Sequence, residues 1–175
     1  MKLLTEISDA TLGIGPAESL GAPYKLRKAA RAILLNDEGL IALQNLTNRG
    51  FHMLPGGGFD PGETPAEACR REVLEEVGCE SEIVDEVGVA IEYREQYELI
   101  HINYCFLMKI AGQVKEPQLQ PDEIEEGMET TWVTPEEALE LLNADSPDPK
   151  YYEGKFIVER EKVYVAEAIN LLRSL

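Results

Sequence analysis

The stretch GGGFDPGETPAEACRREVLEEVGC, from Gly56 to Cys79, leaves this chain little conformational choice. Thr64 is a good helix N-cap, Pro65 takes the first helical position, where a missing N–H costs nothing, and Glu67 falls three residues after the cap. Gly78 supplies a stop, so a helix is expected from Pro65 to Val77. At roughly 100° per residue, with Glu72 as the origin, Glu76 falls at about +40°, Glu75 at about −60° and Arg71 at about −100°. Three carboxylates therefore share one face. Ala66, Cys69, Val73, Leu74 and Val77 lie between roughly +60° and +200° and form the expected core-facing stripe. The reading is an amphipathic helix whose acidic face looks outward.

Like charges at this spacing destabilise a helix, so Glu72, Glu75 and Glu76 are a defect unless something relieves them. A divalent cation does so, and carboxylate oxygens suit hard ions such as magnesium or manganese. The plain alternative is a solvated, charged helix surface.

The spacing resembles a Nudix box, G-x5-E-x7-R-E-U-x-E-E-x-G-U, where U is a bulky aliphatic residue. Gly57, Glu63, Arg71, Glu72, Val73, Glu75, Glu76 and Gly78 meet it, and Cys79 stands in the last aliphatic place. A buried cysteine behaves as a small hydrophobe, so this departure touches packing rather than the carboxylates. Two flanking segments are also similar to the family. Phe51 to Pro55 enters the glycine loop as an apolar strand end, and Trp132-Val133 precedes a helix start at Pro135-Glu136-Glu137.

The whole chain has 175 residues, 44% of them hydrophobic, enough for one core. A single domain over residues 1–175 is expected, its centre at about 26–145, with a helical extension at 151–175. The net charge of −17 argues against a protein that grips duplex nucleic acid. A small phosphorylated ligand is compatible, because a bound cation reverses the local sign of an acidic pocket. Three cysteines without metal-site spacing suggest reduced thiols and a cytoplasmic protein. No apolar run is long enough for a membrane span. His52 and His101 belong to no metal or triad spacing, and no Walker-type loop is present.

In chain order, Met1 to Ile7 reads as a first strand, Ser8 to Tyr24 as a loop, and Ala29 to Leu35 with Leu40 to Leu43 as a hairpin across Asn36–Gly39. Gln44 to Gly50 is expected to be a polar loop. Ile83 to Tyr93 and His101 to Ile110 read as strands. Gly112 to Met128, with Pro117 and Pro121, is expected to be a mobile loop. Thr130 to Val133 reads as a strand, Thr134-Pro135 as a second capped helix start, and about Tyr152 to Leu172 as a terminal helix. Strands interleaved with helices indicate an α/β sandwich, helices flanking a mixed sheet. The resemblance implies the same α/β/α arrangement.

A phosphoanhydride resists attack because its oxygens repel a nucleophile, so cleavage needs positive charge and a base. Glu72, Glu75 and Glu76 are the expected magnesium ligands, and the resemblance adds the Gly57 carbonyl. Arg71 is expected to orient carboxylates by pairing with Glu63 or a box glutamate. Several Nudix enzymes take their base from a loop outside the box; Glu123, Glu125, Glu126 and Glu129 are available, and Glu126 is chosen. Glu76, or Glu75 orienting the water, is the alternative. Phe59, Tyr93, Tyr97, Tyr104 and Trp132 are aromatics that could stack a base, with Phe59 and Tyr97 preferred. Tyr97 resembles a placement seen in dinucleoside polyphosphate hydrolases, whereas the proline associated with ADP-ribose hydrolases is missing. The activity implied is hydrolysis of a nucleoside diphosphate linked to another moiety, releasing a nucleoside monophosphate. The competing class is a non-catalytic Nudix-like binding module, against which the survival of all three box glutamates counts. A homodimer is also expected, since the N-terminal strand and C-terminal helix lie outside the box-bearing core and need a surface to cover.

Overall fold

The computed structural model describes residues 1–15 and 23–174, so 16–22, within the expected first loop, lie outside the described residues. Strands β1 (Leu3–Ser8), β2 (Lys25–Leu35), β3 (Ile41–Leu46), β4 (Phe51–Met53), β5 (Glu80–Arg94) and β6 (Leu99–Ala111) form a mixed sheet in the order β1-β5-β6-β2-β3-β4. Strand β7 (Met128–Val133) also pairs with β3. The β1–β5 and β2–β6 pairs are parallel and the others antiparallel. Four α-helices accompany them among the described residues: α1 (Pro65–Glu76), α2 (Pro121–Glu125), α3 (Pro135–Ala144) and α4 (Tyr152–Leu172).

Strand β2 sits between two helical layers, and its side chains alternate between them as the pleat requires. Ala30, Ala32 and Leu34 pack with Ala68, Cys69 and Val73 of α1, while Ile33 packs with Ala138 of α3 and Val165 of α4. The result is the expected α/β/α arrangement. Cys79 is buried in the α1-side core, as its aliphatic place demands.

The sheet opens where the site is built. Strands β2 and β3 pair only at Leu35 and Ile41, whereas β3 pairs with β4 from Gln44 to Leu46. The chain after β4 fills the gap and bonds to the free edge of β2: Ala32 N–H donates to the Pro55 carbonyl and Ala30 N–H to the Gly57 carbonyl, both at 2.9 Å. Side chains would obstruct this approach. Gly56 has φ +135, and a Cβ there would collide with the Ala30 carbonyl.

Three expectations need correction. Strand β3 continues through Leu46, because Gln44 is buried and accepts the Thr130 hydroxyl at 2.9 Å, which lets a polar residue sit inside the sheet. Strand β5 begins earlier than expected. Its register shifts near Ile83–Asp85 and Glu86–Gly88 explain why its hydrophobic alternation is poor. The 112–128 segment contains α2, opened by Pro121 at a helix start, where proline is favourable. Strand β1 pairs with β5 at the edge of the sheet, and α4 lies over β1, β5 and α3.

Candidate active site

Helix α1 is aimed by its two ends. The Thr64 hydroxyl accepts the Glu67 N–H at 3.3 Å, and the Glu67 carboxylate accepts the Thr64 N–H at 2.8 Å. At the other end, Glu76 Oε2 accepts the Gly56 N–H at 2.7 Å, tying the last turn to the glycine loop. A Cβ at Gly57 would collide with the Glu72 carboxylate. The loop and the acidic face fit because the loop has no side chains.

The carboxylates therefore do not point into open solvent, as the helical wheel suggested. Glu72 is 8% exposed and Glu76 3%, while Leu74, assigned to the core stripe, is 49% exposed. The reason is tertiary: the helix buries its polar face against the loop as well as its apolar face against the sheet. Burial pushes the Glu76 carboxyl well above its ordinary range, with Arg31 and the Gly56 N–H opposing it. Burial raises Glu72 too, countered chiefly by Arg71.

Oxygens of Glu72, Glu76 and Glu123 all lie within 4.8 Å of one another. Three hard oxygen donors this close, two of them desolvated, fit a divalent cation. Glu123 belongs to α2, where its carboxylate accepts the Gln120 N–H at 2.6 Å and burial raises its pKa. Glu75 is outside that group of three but borders the same cavity, with its carboxylate 3.4 Å from Arg71 Nη1. The Gly57 carbonyl uses one lone pair on Ala30 and keeps the other.

Arg71 reaches the carboxylates with which it was expected to pair. It forks onto Glu63 through Nε (2.8 Å) and Nη2 (3.0 Å), holds Glu72 Oε1 at 2.8 Å, and donates to the Gly58 carbonyl at 2.8 Å. Its hydrogen bond holds the Glu63 carboxyl below the usual range.

These groups line an open cavity of about 440 Å³ whose remaining wall includes Arg27 and Arg31 of β2. Sequence reading missed both arginines. A charged residue inside the apolar run 29–35 was the available signal, since a buried charge is costly unless it has a task.

A NUDIX domain match covers residues 25–154, with the box geometry inside it. The chain belongs to the Nudix family. It is 30% identical over 135 residues to the RNA pyrophosphohydrolase of Erythrobacter litoralis, covering 67% of this chain and 82% of that protein. It is 27% identical over 95 residues to mouse diphosphoinositol polyphosphate phosphohydrolase 3-alpha, a match spanning 54% of each. The chain thus spans only about half the length of this second relative. Among solved structures, a Nudix hydrolase from Nitrosomonas europaea aligns with TM-score 0.60 at 20% identity over 81% of this chain and 90% of that one, a likeness of fold.

Apart from the box glutamates, Gly57 and Arg71, three expected residues have definite places. Glu126 borders the cavity with its pKa raised by burial, and Arg49 holds it at 2.5 Å. Phe59 packs beside Tyr104, ring centroids 5.9 Å apart, on the α1-side core. Tyr97 donates its hydroxyl to Glu153 at 2.8 Å and meets Tyr152 edge-on. Neither Phe59 nor Tyr97 lines the cavity, and among the described residues no aromatic side chain does.

Proposed function

We propose that this Nudix protein is a magnesium-dependent hydrolase that cleaves the diphosphate linkage of a nucleoside diphosphate joined to another moiety, releasing a nucleoside monophosphate. The observation that carries the reading is the convergence of Glu72, Glu76 and Glu123 beside a side-chain-free loop. These residues, with Glu75 and the Gly57 carbonyl, would hold magnesium or manganese, which supplies the positive charge a phosphoanhydride needs before water can attack.

The chain's own groups do the rest. The Gly56–Gly58 loop admits the diphosphate close to the backbone. Arg71 keeps Glu72 and Glu75 oriented instead of touching substrate. Glu126 takes the proton from the attacking water: its desolvated carboxyl is a stronger base than an exposed one, and Arg49 fixes its position. The reading treats residues 1–175 as one hydrolase domain.

The test is a panel of nucleoside diphosphate derivatives incubated in magnesium with wild type, Glu76→Gln and Glu126→Gln, with products identified by mass spectrometry. One compound should turn over. Glu76→Gln should abolish this, and Glu126→Gln should lower kcat by about a hundredfold or more. Retained binding without turnover of any compound would instead favour a Nudix-like binding module.

A further inference from the structure

Between α4 and the β5–β6–β2 sheet lies a buried ionic cluster with more cations than anions. Arg160 Nη1 bonds Glu92 Oε1 at 2.6 Å and Nη2 bonds Glu161 Oε1 at 2.5 Å. Arg94 holds the other Glu92 oxygen, Nη2 to Oε2, at 2.6 Å. Glu92 and Glu161 are thus already neutralised by Arg94 and Arg160. Arg31 makes three arginines against these two glutamates, and its other carboxylate neighbours are Glu76 and Glu72 of the cavity, the groups that would hold the cation.

Arg31 is 5% exposed, yet its Nε and Nη1 have no hydrogen-bond partner. Its nearest carboxylate oxygen, Glu161 Oε1, is 3.7 Å from Nε, beyond hydrogen-bond reach. Leaving charged donors buried and unmet is costly, so their retention asks for an anion. The guanidinium borders the cavity that holds the carboxylate cluster.

Arg27, two strand repeats away on the same face of β2, borders it too. Its guanidinium lies over Gly58, Nη2 3.4 Å from where a Cβ would stand. In a chain of net charge −17, the cavity therefore has one acidic wall and one basic wall, both bordering the same glycine loop.

We propose that Arg27 and Arg31 form an anion subsite that takes a phosphoryl group beyond the scissile diphosphate, so that the preferred substrate carries a chain of at least three phosphoryl groups. The inference rests on the hydrolase reading for the position of the diphosphate. Guanidinium forks match phosphoryl oxygens, and a cavity whose described lining is charged or polar apart from the glycine loop, Met53 and Met128, with no aromatic ring, recognises its ligand by charge.

Isothermal titration in magnesium with methylene-bridged diphosphate and triphosphate, which resist hydrolysis, tests this without relying on turnover. Wild type should bind the triphosphate about tenfold to a hundredfold more tightly. Arg27→Ala at its exposed position, and Arg31→Lys, which keeps the charge but loses the fork, should each remove most of that preference. Diphosphate affinity should stay within about twofold. Equal wild-type affinity for the two anions, or variants that weaken both alike, would overturn the subsite and leave the hydrolase reading standing. Failure of wild type to bind either anion in magnesium would overturn the subsite and the placement of the diphosphate together.

Discussion

Arg71 commits its guanidinium to carboxylates and a carbonyl, and this determines what its replacement should do. Lysine keeps the charge but cannot fork onto Glu63 while also holding Glu72 and the Gly58 carbonyl. Every hydrogen bond that lysine fails to make frees a group that shapes the carboxylate cluster, although the fold does not depend on it, since Arg71 stays partly exposed. Arg71→Lys is therefore expected to weaken magnesium affinity by about tenfold to a hundredfold, with the far-ultraviolet circular dichroism unchanged. Magnesium titration of both proteins would measure it. Unaltered affinity would reduce Arg71 to an ordinary surface ion pair.

At the scale of elements, the chain opens two helices in the same manner. Thr64-Pro65 with Glu67 and Thr134-Pro135 with Glu137 both close reciprocal capping boxes. Thr64→Ala should cost about 1 kcal/mol in urea denaturation, the usual contribution of such a cap, and more than a substitution at exposed Leu74. Equal losses would mean that α1 is held by its packing alone. Caps and helical period are local signals, which is why α1, α3, α4 and the box glutamates were legible in the chain. The third helix start was hidden. Gln120-Pro121 with Glu123 has the same proline and glutamate spacing, but a glutamine stands where threonine was the cue, and the segment reads as loop. Glu123 therefore reached the carboxylate cluster unforeseen as a partner of Glu72 and Glu76. Non-local geometry concealed the rest. No wheel can show that a helix buries both faces, and no strand pattern shows that the sheet splits between β2 and β3 to bring Arg31 beside Glu76.

For the molecule as a whole, the buried ionic cluster under α4 links stability to pH. Burial alone would raise Glu92, but Arg160 and Arg94 overcome it and hold this carboxyl well below its usual range. His101, whose Nδ1 is 3.4 Å from Glu92, is pushed down to about 4, by burial first and then by Arg94 and Arg160, with Glu92 opposing. The unfolded chain takes up the imidazole proton as pH falls through about 6.5, whereas the folded chain refuses it until about 4. Stability from this group is thus complete above about pH 6.5 and drains away between there and about pH 4, by about 3 kcal/mol at most. Glu92, whose carboxyl is depressed, keeps its full contribution down to about pH 4.5, where the unfolded carboxyl begins to take up its proton, and loses it progressively in stronger acid. The raised carboxyls at the cavity act with the opposite sign, because the folded chain accepts their protons more readily. A comparison of variants separates the two effects. His101→Gln removes the titrating ring and leaves the cavity untouched, so urea denaturation at about pH 7.5 and about pH 4.5 should show a markedly smaller acid-induced loss than in wild type. An equal loss in both proteins would assign the acid sensitivity to carboxyl groups elsewhere in the chain.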